Sequence, residues 1–276
     1  MANRERPSSL LVAPDPAQES LTRTIEGVDE HGAPITQKVI VERPLTLFLN
    51  DREIVTMMTI GDYPDYLALG YLLNQNMLRR DSVVTAIEHD EELGIVVVRT
   101  PDRTDFEEKL RKKTLTSGCA QGTVFGDVME NFSTIRLDPD ARLRASDLRL
   151  LLQAINRCPS LYLEAGAIHG CALGEGATPL LYMEDVGRHN AVDKIAGYMH
   201  RHGIASADKV FYTTGRLTSE MVIKTVLMGL PILVSRSGFT AWGVELARAA
   251  GLTLIGRATG SHFLVLSGKE RILLHD

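Results

Sequence analysis

Cysteine is scarce in this chain: 276 residues hold only Cys119, Cys158 and Cys171. Three are too few for a disulfide scaffold, and no two form a Cys-x-x-Cys pair. Such sparse usage fits a reducing compartment. Long hydrophobic runs are also missing. No apolar stretch reaches the roughly 18 residues of a membrane helix. Met1 to Pro16 is polar and lacks the apolar centre of a signal peptide. A large excess of one charge is absent too, since the formal net charge is −5. That balance argues against general nucleic-acid binding and leaves any anion to a local basic cluster. There is no internal repeat. The expectation is a cytoplasmic protein with neither a membrane nor a nucleic acid as partner. What is present is an ordinary globular mixture, 44% hydrophobic and 24% charged, enough for a substantial core.

Hydrophobic patterning divides the chain. Residues 1–34 carry Pro7, Pro14 and Pro16 with little periodicity and read as a flexible tail. Residues 35–115 read as a small α+β domain. Its strands fall near Lys38–Val41, Leu45–Leu49 and Glu53–Thr59, with a hairpin over Val83–His89 and Gly94–Arg99. Pro64 opens a helix through about Asn76, because proline suits a first helical turn. The apolar run Ile95–Val98 predicts a central strand. Residues 102–113 are densely charged and read as a solvated helix or linker. The segment 116–126 is a loop of small residues around Cys119. From 127 to 276 strands and helices alternate. The pattern predicts a helix over Ser146–Cys158 and strands at Leu161–Leu173 and Leu180–Asp185. Asn190–His202 reads as a helix closed by Gly203. Short strands at Lys209–Thr213, Ile232–Ser235 and Leu252–Gly256 alternate with helices at Glu220–Met228 and Ala241–Ala250. This predicts an α/β fold with a mostly parallel sheet and helices on both faces.

Two features could carry chemistry. The first is Cys119, in Thr116-Ser117-Gly118-Cys119-Ala120-Gln121-Gly122-Thr123. A thiolate is a nucleophile, and small neighbours leave it open to a second protein. Lys112 and Lys113 lie just upstream and could steady an anionic sulfur. The same cysteine could equally be a small apolar side chain in a packed turn. Cys158, at a helix end beside Pro159, reads as structural. Cys171 follows His169-Gly170, but no further ligand stands nearby to complete a metal site.

The second feature is a set of four segments, each following a strand. They are Asp185–Asn190, Thr213–Glu220, Ser235–Thr240 and Arg257–His262. Each combines Arg or His with Gly, Ser or Thr. Any one alone reads as a turn and helix cap. Together they would converge on one rim if their strands run parallel, where ligands bind in open α/β sheets. Such a rim suits a nucleotide or pyrophosphate.

From about Glu42 onward the sequence resembles the FdhD family, the accessory sulfurtransferases of formate dehydrogenase. The resemblance rests on Pro64–Gly70, Thr116–Cys119, Gly166–His169, Ser219–Val222 and Leu252–Arg257. It rests most on the string Asp185-Val186-Gly187-Arg188-His189-Asn190-Ala191-Val192-Asp193-Lys194. It implies a cytidine-deaminase-like three-layer α/β domain over 127–276, and a homodimer. It further implies that Cys119 accepts persulfide sulfur from a cysteine desulfurase. The sulfur would pass to the bis(molybdopterin guanine dinucleotide) molybdenum cofactor that formate dehydrogenase needs. Arg257, Ala258, Thr259, Gly260, Ser261 and His262 fall on the family's cofactor-binding loop, with Arg216 and His189 as further rim candidates.

Two positions depart from the family's usual pattern. Gly122 stands where members commonly carry a second loop cysteine, so no relay within the loop is available. The cofactor loop reads Arg-Ala-Thr-Gly-Ser-His and not the frequent Lys-Pro-Gly-Arg type. A second reading is a binding chaperone for the molybdenum cofactor that makes no covalent use of Cys119. A redox sensor at Cys119 would lack a resolving cysteine. Zinc-dependent deamination is excluded, because it needs His-x-Glu and Pro-Cys-x-x-Cys and neither is present. No zinc is expected.

Overall fold

The computed structural model describes residues 10–101, 114–115 and 123–274. Cys119, Lys112, Lys113, Gly122 and the charged stretch 102–113 lie outside the described residues. The chain begins with β1 (Leu11–Ala13), then a hairpin of β2 (Thr22–Val28) and β3 (Pro34–Ile40). β4 (Arg43–Leu49) and β5 (Arg52–Thr59) form a second hairpin. Asn50 turns it at φ 56°, a conformation its short amide tolerates better than most side chains. Helix α1 (Pro64–Asn74) follows, with proline in its first turn as predicted. β6 (Ala86–Asp90) and β7 (Ile95–Arg99) complete a four-stranded sheet, ordered β5-β4-β7-β6. The apolar run of β7 does sit centrally. The two-residue strands β8 (Thr114–Leu115) and β9 (Thr123–Val124) pair antiparallel and bring the ends of segment 116–122 together.

The second half starts with α2 (Phe125–Thr134), β10 (Leu143–Arg144), α3 (Ala145–Asn156) and the five-residue α4 (Leu161–Ala165). β11 (His169–Glu175) and β12 (Thr178–Asp185) come next, then α5 (Arg188–His202) and β13 (Lys209–Thr213). After them come α6 (Ser219–Leu227), β14 (Ile232–Ser235) and α7 (Ala241–Ala249). β15 (Thr253–Thr259), β16 (His262–Ser267) and β17 (Ile272–Leu273) finish the described chain. The main sheet has seven strands in the order β1-β12-β11-β13-β14-β15-β16.

Three expectations need correction. Residues 1–34 are not all tail: β1 pairs parallel with β12, and the β2–β3 hairpin begins at Thr22. A three-residue strand is too short to show a periodicity, so composition alone hid it. Leu161–Leu173 is not one strand. Ser160 accepts a hydrogen bond from the Leu163 amide (3.4 Å) and caps α4, and Gly166 at φ 64° ends it. The main sheet is mixed, not mostly parallel. β11 runs antiparallel to both neighbours, and so does β16 to β15.

Helices cover both faces of this sheet. On one face Ala191, Val192, Ile195, Met221, Val222, Val226 and Ala247 pack on Cys171, Leu173, Phe211, Leu233 and Leu254. On the other, Leu148, Leu151, Leu152 and Ile155 of α3 meet Ala172, Tyr182, Tyr212, Val234 and Ile255. The alternation of inward and outward side chains along each strand produces the two sets.

The four-stranded sheet has its own core, in which Leu45, Leu47, Val96 and Val98 meet Leu67, Ala68 and Leu72 of α1. The opposite side of α1 lies on α5. A Cβ at Gly70 would stand 1.8 Å from the Asp193 carbonyl oxygen, and one at Gly197 would stand 2.0 Å from that of Tyr66. The two helices therefore cross backbone to backbone, and α1 is buried on both sides.

Candidate functional site

β12, β13, β14 and β15 all run in one direction, because β12 and β13 are both antiparallel to β11 while β14 and β15 are parallel to β13. Their carboxyl ends meet at one edge of the sheet, beside the start of β11. The four segments singled out from sequence thus do share a rim. Hydrogen bonds join them to one another. Thr214 Oγ1 accepts from the Gly170 amide (3.0 Å) and lies 3.3 Å from His169 Nδ1. Ser235 Oγ donates to the Gly215 carbonyl (2.6 Å) and accepts from the Ser237 amide (2.9 Å). The Arg257 amide donates to the Ser237 carbonyl (3.0 Å). Arg188 crosses Gly215 so closely that a Cβ there would be 3.0 Å from its side chain.

The rim is basic. Arg43, Arg79, Arg99 and Arg201 each pair with a carboxylate. Arg216, Arg236 and Arg257 have no such partner among the described residues. Arg236 instead stacks 5.0 Å from the ring centre of Tyr162. Burial holds the His169 imidazole below its usual pKa, and the charges of Arg188, Arg236, His189 and Arg216 hold it lower still. Those four groups therefore converge on His169. His189 is buried, with Nε2 3.0 Å from Glu220 Oε2. Burial depresses its pKa as well, against the pull of Glu220. The N-termini of α5 and α6 also face the rim and add partial positive charge. Uncompensated guanidinium groups with helix N-termini suit phosphate or carboxylate oxygens.

Segment 257–262 is less of a loop than the sequence suggests. Arg257, Ala258 and Thr259 close β15, His262 opens β16, and only Gly260 and Ser261 turn between them. Arg257, Thr259, Gly260, Ser261 and His262 are exposed. Ala258 is buried in the core with α3, so its side chain faces away from any ligand at the rim. Arg257 holds a φ of 52°, a strained value for a side chain of this size.

Cys171 is fully buried against Thr213 Oγ1 (3.5 Å), and burial pushes its thiol up to about 12. Cys158 is buried and donates to the Ala154 carbonyl (3.4 Å). Both behave as core side chains.

The string at 185–194 does something the sequence reading missed. Most of it forms a buried polar junction between the two halves. Lys194, with no exposure, meets Asp62, Asp185 (2.6 Å) and the Glu184 carbonyl (3.1 Å). Burial pulls its ammonium pKa down, but Asp185 and Asp62 outweigh burial and hold it above the usual value. Thr59 donates to Asp185 (2.6 Å), and Asn190 donates to Asp185 (3.0 Å) and the Met58 carbonyl (2.7 Å). Asp193 takes two bonds from Lys224 (2.8 and 2.7 Å) and one from Asn74 (2.7 Å). Only Arg188 and His189 of the string reach the rim. Ionic side chains at helical spacing could have signalled a buried network, but several of their partners, Met58, Thr59, Asp62 and Asn74, lie more than a hundred residues away.

Comparison with known proteins points to one family. A model of the FdhD/NarQ family matches residues 40–273. A protein of Listeria innocua named sulfur carrier protein FdhD is 29% identical over 241 residues, covering 86% of this chain and 92% of its own. A Bacillus subtilis protein of the same name is 29% identical over 249 residues, covering 86% and 91%. A crystal structure from Desulfotalea psychrophila, provisionally named a formate dehydrogenase accessory protein, superposes with a TM-score of 0.72 at 27% identity. That match covers 91% of this chain and 98% of the other. With the family pattern spanning both the junction and the rim, the chain belongs to the FdhD/NarQ family.

Proposed function

We propose that this protein is a sulfurtransferase serving formate dehydrogenase. Cys119 accepts sulfur from a cysteine desulfurase and passes it to a bis(molybdopterin guanine dinucleotide) cofactor bound at the arginine rim. The observation that carries the reading is the cluster of arginines at the strand ends with no carboxylate partner among the described residues, in a chain whose relatives are named sulfur carriers. Arg216, Arg236 and Arg257 offer donors for the cofactor's phosphates, and the exposed 259–262 turn offers Thr259, Ser261 and backbone amides beside them.

The first step balances without an oxidant. The Cys119 thiolate attacks the outer sulfur of the donor persulfide, and the donor cysteine leaves as a thiolate. Cys119 then carries the extra sulfur as a persulfide. Delivering it as a sulfide ligand takes two electrons, which the reduced metal of the substrate supplies, and Cys119 returns to a thiolate. A homodimer, a cytoplasmic setting and a cytidine-deaminase-like plan for 127–276 belong to the same reading. Formate dehydrogenase and the desulfurase are its protein partners.

Intact mass after incubation with an active desulfurase and cysteine tests the first step. The wild type gains about 32 Da, one sulfur, and Cys119→Ala gains nothing, since only a thiolate can accept it. A wild type that gains no mass removes sulfur transfer. If Cys119→Ala still supports formate dehydrogenase, the protein is a cofactor chaperone, the reading that Gly122 favours.

A further inference from the structure

The first segment of the rim is held in place from the other half of the chain. Asp185 is fully buried, and its carboxylate takes donors from Thr59 Oγ1 (2.6 Å), Lys194 Nζ (2.6 Å), Asn190 Nδ2 (3.0 Å) and the Gly187 amide (3.3 Å). Lys194, Asn190 and Gly187 belong to the same string as Asp185, whereas Thr59 ends β5 in the N-terminal half. We infer that Thr59 is a positioning residue for anion binding at the rim: its hydroxyl, acting through Asp185, sets the turn that delivers Arg188 and His189. The inference rests on the anion-binding reading of the rim and gives the N-terminal half a part in it.

The turn has little else to fix it. Gly187 is the N-cap of α5 and has no side chain with which to cap the helix. The Asp185 carboxylate takes the Gly187 amide instead. The Asn190 side chain ties Asp185 to the Met58 carbonyl (2.7 Å), so two neighbouring residues of β5 grip the turn. Arg188 and His189 follow Gly187 directly. They are 9% and 8% exposed, so their side chains reach the rim along confined paths, and that of Arg188 passes close against Gly215. A small rotation at Gly187 is therefore felt at a guanidinium, whose grip on phosphate oxygens depends on direction.

The Thr59 hydroxyl is fully committed. It has no exposure, donates its proton to Asp185 Oδ2 and accepts from the Gly61 amide (3.3 Å). Without it, Asp185 Oδ2 keeps only Lys194. Attraction between charges is strong where water is excluded, so the carboxylate turns toward that ammonium and away from Gly187 and Asn190. Lys194 cannot replace the lost donor, because it already bridges Asp185 and Asp62.

Calorimetry with inorganic pyrophosphate on the full chain tests this with two substitutions. Thr59→Val keeps the shape of the side chain and loses the hydroxyl. Thr59→Ser keeps the hydroxyl and loses the methyl group. Thr59→Val should weaken pyrophosphate binding about tenfold, within the range of residues that act through a network. Thr59→Ser should bind as the wild type does. In Thr59→Val the His169 midpoint, read by NMR, should also rise toward 6.5, because Arg188 is one of the charges that depress it. A hydroxyl with a structural role alone would lower the unfolding midpoint of Thr59→Val and leave pyrophosphate affinity and the His169 midpoint where they were. That result overturns the inference and spares the rim. Equal weakening by both substitutions assigns the effect to packing and overturns it as well. Pyrophosphate that fails to bind the wild type removes the rim reading and this inference together. Should Thr59→Val fail to fold, the wild type supplies the test. By linkage, an anion whose binding uses the Thr59–Asp185 bond strengthens that bond in return. Amide exchange at Gly61, the donor to the Thr59 hydroxyl, should slow on adding pyrophosphate, and exchange at Gly32 in the β2–β3 turn should not. An unchanged rate at Gly61 overturns the inference without any variant.

Discussion

His169 reports the charge of the rim. Burial and four cationic neighbours hold its pKa below the ordinary 6.5. In the unfolded chain it takes up a proton near that value. Between the two pKa values the unfolded state binds more protons, so stability rises with pH through that window and falls as pH drops. His189, depressed by burial, contributes with the same sign. A dianion at the rim offsets the arginine charges, so pyrophosphate should raise the His169 pKa. An NMR titration of the imidazole with and without pyrophosphate reads this directly. An unchanged midpoint would place the anion elsewhere. His169 itself was legible as a possible metal ligand and as part of the Gly166–His169 element of the family pattern, not as a member of the rim. Its true neighbours, Arg188, Arg216 and Arg236, come from three other segments. Cys158, by contrast, was readable as structural from its place at a helix end beside Pro159, while for Cys171 the sequence showed only that no metal site could be completed.

Among the elements, the pairing of α1 with α5 decides how the halves are joined. Asp193 and Lys224 form a buried pair with Asn74 as a third member. Removing one partner of such a pair costs about 3–5 kcal/mol, because a charge is left buried alone. Lys224→Met should therefore lower the unfolding midpoint in urea sharply. The double variant Asp193→Leu/Lys224→Met should recover much of the loss. If the single variant unfolds like wild type, the pair carries no such weight. Gly197→Ala places a methyl group against the Tyr66 carbonyl and should cost about 1–3 kcal/mol by overpacking. Thermal unfolding checks it, and the half-buried Gly238→Ala, at an ordinary backbone conformation, is a control that meets no atom within 4 Å. Helices α1, α5, α6 and α7 were legible from periodicity and caps to within two residues at either end. The glycine crossing was not, because a glycine inside a helix gives no sign of what lies against it. The antiparallel β11 was missed for a related reason. Leu161-Tyr162-Leu163 is as apolar as a strand, and only Ser160 and Gly166 mark the short helix.

At the scale of the whole molecule, a single sheet edge collects segments spread from His169 to His262. That convergence was predictable from alternating strands and helices, even though the sheet is mixed. The reason is that a hairpin reversal through β11 leaves β12 pointing the same way as β13. The first strand, read as part of a flexible tail, was assigned to neither half. β1 completes the main sheet by pairing with β12, so Leu11 lies beside Leu181. Its partner is about 170 residues distant along the chain. On a ribosome adding some 5–20 residues per second, β1 waits roughly ten to thirty seconds for β12 to emerge. During that interval β1 lacks the strand it pairs with. The N-terminal half can settle around its own core meanwhile. Closing the sheet edge is therefore a late event of biogenesis, performed by residues made long before their partner.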